Sequence, residues 1–135
     1  MPPIPKKTKS KKVSIKKLRD KADNVFSHFI RERDSNICFT CKKQLDPKES
    51  QCGHFMSRSH LNTRFSEENC HCQCVACNVF KHGNYPVYAL ELMKKFNGGW
   101  IIEKLNFESQ IIKKMYASDY QAIIDKYSKL LKESI

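Results

Sequence analysis

No run of apolar residues in this 135-residue chain approaches the roughly 18 that a membrane span requires, and the N-terminal MPPIPKKTKSKK has no apolar centre of a secretory signal. Both absences imply an intracellular protein with no membrane partner. Acidic residues are scarce: 14 Asp and Glu face 25 Lys and Arg, giving a formal charge of +11 and an isoelectric point near 9.4. That balance points to a polyanion, with nucleic acid as the leading partner, rather than to an acidic small molecule. No small-molecule cofactor is expected. Internal repeats of 20 to 50 residues are absent, and the length leaves room for one small domain and a tail.

Charge is unevenly placed. Residues 1–21 carry nine Lys and Arg and one Asp, a net +8 of the +11. A proline- and lysine-rich opening buries too little apolar surface to offset its ordering entropy, so residues 1–12 read as a flexible basic arm and 13–135 as one domain. Lys11, Lys12 and Lys16 are its candidate phosphate contacts. From Ile15 onward, Leu18, Ala22, Val25, Phe26, Phe29 and Ile30 recur at steps of three and four, the stripe of an amphipathic helix ending near Asp34-Ser35-Asn36. His28 falls on its solvated face.

Seven cysteines form an odd set, and in a reducing compartment cysteines at paired spacing hold metal more often than they form disulfides. Two C-x-x-C pairs stand out, Cys38-Phe39-Thr40-Cys41 and Cys74-Val75-Ala76-Cys77, with 32 residues between them. Each pair turns the backbone so that two sulfurs face one ion, and two such knuckles complete a four-thiolate zinc site. Paired knuckles favour zinc over an iron–sulfur cluster. With no open position, such an ion folds the chain and performs no catalysis. Cys52, Cys70 and Cys72 are left over. Cys70-His71-Cys72-Gln73-Cys74 offers a second register for one knuckle, but on an extended strand Cys70 and Cys72 read better as small buried hydrophobes.

Between the knuckles runs Gln51-Cys52-Gly53-His54-Phe55, strand-like, then a loop ending in Arg64-Phe65-Ser66-Glu67-Glu68-Asn69. The second knuckle opens directly into Asn78 and Lys81-His82-Gly83-Asn84. Over about residues 25–95 this combination resembles the phage NinG (Rap) recombination endonucleases, within the HNH superfamily whose ββα-metal site is built on a treble clef. Endonuclease VII-type phage resolvases are similar in placing an asparagine directly after the last zinc cysteine. The resemblance implies an α+β fold: a zinc-bound treble-clef core over about 36–85, flanked by the N-terminal helix and by C-terminal helices over about 86–134. It also implies a metal-dependent, structure-selective DNA endonuclease acting on branched recombination intermediates, Holliday junctions or flaps, in the cytoplasm or nucleoid of a phage host.

Carried over by position, the resemblance makes His54 the general base that deprotonates the attacking water and Asn78 a ligand of a catalytic Mg2+ or Mn2+. Asn69 corresponds to the central asparagine that fixes the loop and orients the base. The chemistry is consistent: an imidazole titrates near neutrality, and an amide oxygen suits a hard cation that keeps most of its waters. Many HNH enzymes carry an aspartate or histidine ligand immediately before the base, where this chain has Gly53. His82, at i+4 from Asn78, is the first candidate to replace it, with His60 and His71 behind; alternatively His54 itself ligates and another histidine is the base. Arg58, Arg64 and Lys81 flank the centre as phosphate contacts, Arg64 alternatively pairing with Glu67 or Glu68. The glutamates read as a solvated turn.

After Pro86 a helix over Val87 to Lys95 is expected, with Val87, Leu90, Met93 and nearby Tyr88 or Phe96 inward, stopped by Asn97-Gly98-Gly99. Trp100 through Met115 offers further apolar surface. Ser118-Asp119-Tyr120-Gln121 has the form of a capping box before a final amphipathic helix, which serves either core packing or a homodimer face. Two other functions stand beside the junction endonuclease. One is a DNA-binding zinc module without catalysis; the other is a nicking or restriction-type HNH enzyme on duplex DNA.

Overall fold

A computed structural model describes residue 3 and residues 14–134, so Lys11 and Lys12 of the expected arm lie outside the described residues. The order is α1 (Ile15–Arg33), β1 (Ser50–His54), α2 (Leu61–Arg64), β2 (Cys70–Cys74), α3 (Tyr85–Lys95), α4 (Trp100–Gln110) and α5 (Ala117–Glu133). The fold is therefore mixed α+β, with a small two-stranded sheet and helices on both of its faces. Among the described residues no helix is long and apolar enough to cross a membrane.

α1 starts where the Ser14 hydroxyl accepts the Lys17 N–H at 3.2 Å and stops where Ser35 and Asn36 turn left-handed, near φ +53° and +54°. Its Ala22, Phe26 and Ile30 are buried, as the stripe requires. They meet Tyr120, Ile124 and Tyr127 of α5, so that helix's apolar stripe packs within the chain. α5 begins two residues earlier than the expected capping box: the Asp119 carboxylate accepts the Tyr116 N–H at 2.7 Å, and Ser118 lies inside the helix.

β1 and β2 pair antiparallel with Cys52 opposite Cys72, Gly53 opposite His71 and His54 opposite Cys70. Side chains alternate across a strand, so Cys52, His54, Cys70 and Cys72 share the face that α1 covers. Gly53, His71 and Gln73 take the other face, towards α3 and α4. There Tyr88, Leu92, Ile101 and Leu105 form the second core, with Phe39 and Phe55 against it. The inward stripe of α3 is thus Tyr88 and Leu92 rather than Leu90, which is 55% exposed. Tyr88 is drawn in because its hydroxyl donates to the Gly53 carbonyl at 2.8 Å and contacts His71 Nδ1 at 3.1 Å. Beyond α4, Ile112 is 98% exposed and joins no core.

Candidate functional site

The two C-x-x-C pairs converge. The sulfurs of Cys38, Cys41, Cys74 and Cys77 all lie within 4.8 Å of one another, with Cys41 Sγ and Cys74 Sγ 3.7 Å apart. Four thiolates at about 2.3 Å from a tetrahedral zinc sit about 3.8 Å from each other, so the donor set and its spacing fit a structural metal such as zinc. Each knuckle is built by its own backbone: the Cys41 N–H points to Cys38 Sγ at 3.5 Å and the Cys77 N–H to Cys74 Sγ at 3.4 Å. Lys42, left-handed at φ +66°, closes the first turn. Burial alone would raise the Cys38 thiol, but hydrogen bonds from the Thr40 hydroxyl and neighbouring backbone bring it down to about 6. Cys70 and Cys72 stand outside this set, fully buried, with burial pushing both thiols up. The alternative register through Cys70 is not the one adopted.

One solvent-open cavity of about 290 Å³ lies between α1, β1 and the turn after the second knuckle; His54, Asn78 and Arg58 line it together with Asp23 and Gln51. A neighbouring recess of about 310 Å³ is shared by His54, Arg58, Asn78 and Tyr85. His54 reaches it from the end of β1. Its Nε2 lies 2.9 Å from the Arg64 carbonyl, which can only accept, so Nε2 carries the proton and Nδ1 keeps the free lone pair. Burial lowers the His54 pKa below its ordinary 6.5, and the Arg58 charge adds to that effect against the Arg64 carbonyl, so the ring is neutral at neutral pH.

Asn78 lies in a π-helical turn, Ala76–Phe80, directly after the thiolate Cys77. Its Nδ2 donates to Gln51 Oε1 at 2.8 Å, leaving its Oδ1 as the free acceptor. Asn69 is fully buried and does not touch the cavity. Its carboxamide accepts the Met56 N–H at 2.7 Å and donates to the carbonyls of Met56 and Thr63 at 3.0 and 3.1 Å. It thereby ties down the segment between β1 and α2.

Several expected residues go elsewhere. His82 does not join Asn78: the i+4 argument presumes α geometry, whereas the turn is π-helical, ends at Phe80 and leaves His82 exposed at φ +50°. His71 faces the opposite side of the sheet, fully buried, between Tyr88 and the Lys95 ammonium, 3.0 Å from Nε2. Burial and that neighbouring charge lower it to about 2. His60 caps the short α2. Arg64 is a clamp within the protein: its guanidinium grips the Asp23 carboxylate on α1, with Nε–Oδ1 at 2.9 Å, and neither Glu67 nor Glu68 is its partner. Those glutamates are not a solvated turn; Glu68 pairs with Lys104, and Glu67 accepts from the Tyr127 hydroxyl at 3.1 Å. Lys81 flanks the thiolate cluster instead of the His54 cavity, and Lys16 is exposed on α1 near Asp20 at 3.7 Å.

Sequence reasoning missed Asp23, which α1 carries into the cavity. Nothing local marks it, because its partner Arg64 is 41 residues away. Gly53 has a packing reason: a Cβ there would lie 2.6 Å from the carboxamide carbon of Gln73. Gln73 is itself held by bonds to the Gly83 carbonyl at 2.9 Å and the Thr40 hydroxyl at 3.2 Å. A metal-ligating side chain therefore has no place at position 53.

The family model described as Bacteriophage Lambda NinG protein matches residues 5–134. Among curated relatives, protein ninG of Escherichia phage lambda is 37% identical over 76 residues, covering 55% of this chain and 37% of that protein. Protein ninG of Salmonella phage P22 is 36% identical over 76 residues with the same shares. The matched region thus spans little more than a third of the relatives' length. No solved structure matches the chain.

Proposed function

The chain belongs to the NinG family of bacteriophage proteins, and on that premise we propose that it is a metal-dependent DNA endonuclease of the HNH, ββα-metal type that hydrolyses phosphodiester bonds in branched recombination intermediates. The observation that carries this is the shared cavity: His54, Asn78 and Arg58 open onto one space from three different segments. A core stapled only for DNA binding has no need of a neutral imidazole and a free amide oxygen at one solvent-filled point.

Each residue has a role that its contacts support. The Arg64 carbonyl fixes the His54 tautomer, so Nδ1 is the atom that takes a proton from water. Arg58, exposed on the cavity rim, supplies charge to a phosphate and sets the backbone in place. Asn69 positions the His54 segment from behind. The hard oxygen donor at the cavity, Asn78 Oδ1, suits Mg2+ or Mn2+, whereas both oxygens of Asp23 are held by Arg64. Such an ion, when bound, neutralises charge on the scissile phosphate and the leaving oxygen.

The partner in this proposal is DNA, with the basic N-terminal residues adding phosphate contacts whose strength falls with salt. The experiment is cleavage of linear duplex, single strand, flap and four-way junction side by side, with and without Mg2+. Metal-dependent cutting concentrated on the branched substrates supports the proposal. Binding without cleavage in every lane leaves a zinc-folded DNA-binding module, and equal cutting of linear duplex a nicking-type enzyme.

A further inference from the structure

A second group of metal-ligating side chains lies apart from the four-thiolate cluster. Cys52 Sγ, Cys70 Sγ and one ring nitrogen of His54 are all within 4.8 Å of one another on the α1-facing side of the sheet. The register makes this possible: His54 and Cys70 are direct cross-strand partners, and Cys52 sits diagonally from Cys70 on the same face. Cys70 is fully buried, whereas Cys52 is half-buried and lines the cavity beside His54.

A disulfide is not what this arrangement favours. Diagonal pairs across antiparallel strands have Cα atoms about 7–8 Å apart, beyond the roughly 6.8 Å that a disulfide spans. Two sulfurs and an imidazole instead form the donor set of a borderline ion, Zn2+ or Co2+, and a poor one for Mg2+. Because Cys52 and His54 line the cavity, an ion held by these three ligands has space beside it for water or a substrate atom. The surroundings suit a ligating histidine as well. The Arg64 carbonyl, 2.9 Å from Nε2, fixes the orientation of the imidazole beside the two sulfurs.

We propose that Cys52, His54 and Cys70 form a second, cavity-facing site for Zn2+ or a similar borderline ion, and that filling it switches off the chemistry at His54. On binding, the two thiol protons leave to solvent and the lone pair of the neutral His54 ring becomes a metal bond. His54 then has no lone pair with which to accept a proton from water, so zinc beyond the structural equivalent inhibits Mg2+-dependent cleavage; this consequence rests on the nuclease function proposed above, whereas the ion site does not.

The test uses the full chain loaded with one equivalent of zinc, dialysed against Co2+, with bound metals counted by elemental analysis and cobalt–thiolate absorption recorded. One Co2+ per chain with a thiolate charge-transfer band, the structural zinc remaining, is the expected result. Both signals should be lost in Cys52→Ser and, separately, in His54→Ala, each with an unchanged far-ultraviolet circular dichroism spectrum. A parent that takes up no Co2+, or a folded Cys52→Ser that keeps the same band and stoichiometry, overturns the site. In cleavage assays, excess Zn2+ should inhibit the parent at concentrations roughly tenfold or more below those needed for Cys52→Ser; equal sensitivity overturns the inhibitory role. A chain that binds Co2+ as expected but cuts no DNA supports the site while defeating the nuclease proposal.

Discussion

Asn69 holds Met56 by both of its backbone polar groups, accepting the N–H at 2.7 Å and donating to the carbonyl at 3.0 Å, while the same amide nitrogen reaches the Thr63 carbonyl at 3.1 Å. A fully buried side chain thus replaces the missing backbone ladder of the segment after His54. Replacing it with alanine leaves one buried donor and two acceptors unpaired, each worth about 1 kcal/mol or more. Asn69→Ala should lose about 3 kcal/mol in urea unfolding. Asn69→Asp should fall short of the parent too, because it keeps the acceptor and loses both donations.

The four-thiolate cluster should govern folding as a whole. Cys41→Ser and Cys74→Ser are each expected to release zinc and unfold the region between the knuckles, since structural zinc contributes on the order of 10 kcal/mol. Chelation of the parent should collapse the thermal transition in the same way. Elemental analysis of the purified chain is the check, and an absence of tightly held zinc would contradict it.

Gly53 should resist even a methyl group. The added Cβ meets the Gln73 carboxamide, whose bonds to Gly83 and Thr40 prevent it from moving aside. Gly53→Ala should therefore cost roughly 1–3 kcal/mol. Gly53→Asp, which puts an acidic residue directly before His54, should destabilise further and raise no cleavage rate. Shortening Gln73 in the same chain should recover part of the loss, measured as a coupling in a double-mutant cycle.

His71 should make stability fall on the acid side. Its pKa is about 2 in the folded chain against an ordinary 6.5, owing to burial first and then to the Lys95 charge. Below 6.5 the unfolded chain takes up a proton that the folded chain refuses, so stability is lost as pH drops, by roughly 1 kcal/mol per pH unit. Unfolding free energies of the parent and His71→Gln, compared between about pH 7 and 5, should diverge in slope, the variant being flatter.

How much of this was legible in the sequence follows from the range of each signal. The four-cysteine cluster and α1 are local patterns, a two-residue spacer repeated and a 3.6-residue stripe, and they stand where the sequence puts them. His54 and Asn78 were found through the family resemblance and meet in one cavity. Arg64 pairs with Asp23, which the sequence does not reveal, because charge at a position says nothing of a partner 41 residues away. His82 stands apart from Asn78 because the turn is π-helical and ends at Phe80, so α-helical spacing does not apply there. Tyr88 is inward, as its pattern allows, while Leu90 yielded its place to Leu92 because the Tyr88 hydroxyl turns the helix towards its partner at Gly53. The Cys52, His54 and Cys70 group depends on strand register, which is set only once the two strands pair.

The most direct measurement is the rate at which the parent and His54→Ala cut a four-way junction in Mg2+, followed from about pH 5 to 8. The parent should cut with an acidic limb falling below 6.5, because burial lowers the His54 pKa. The variant should bind the junction and retain its zinc yet show no cleavage above background. A variant that cuts at the parent rate with the same pH profile would contradict the assignment of His54 as the base.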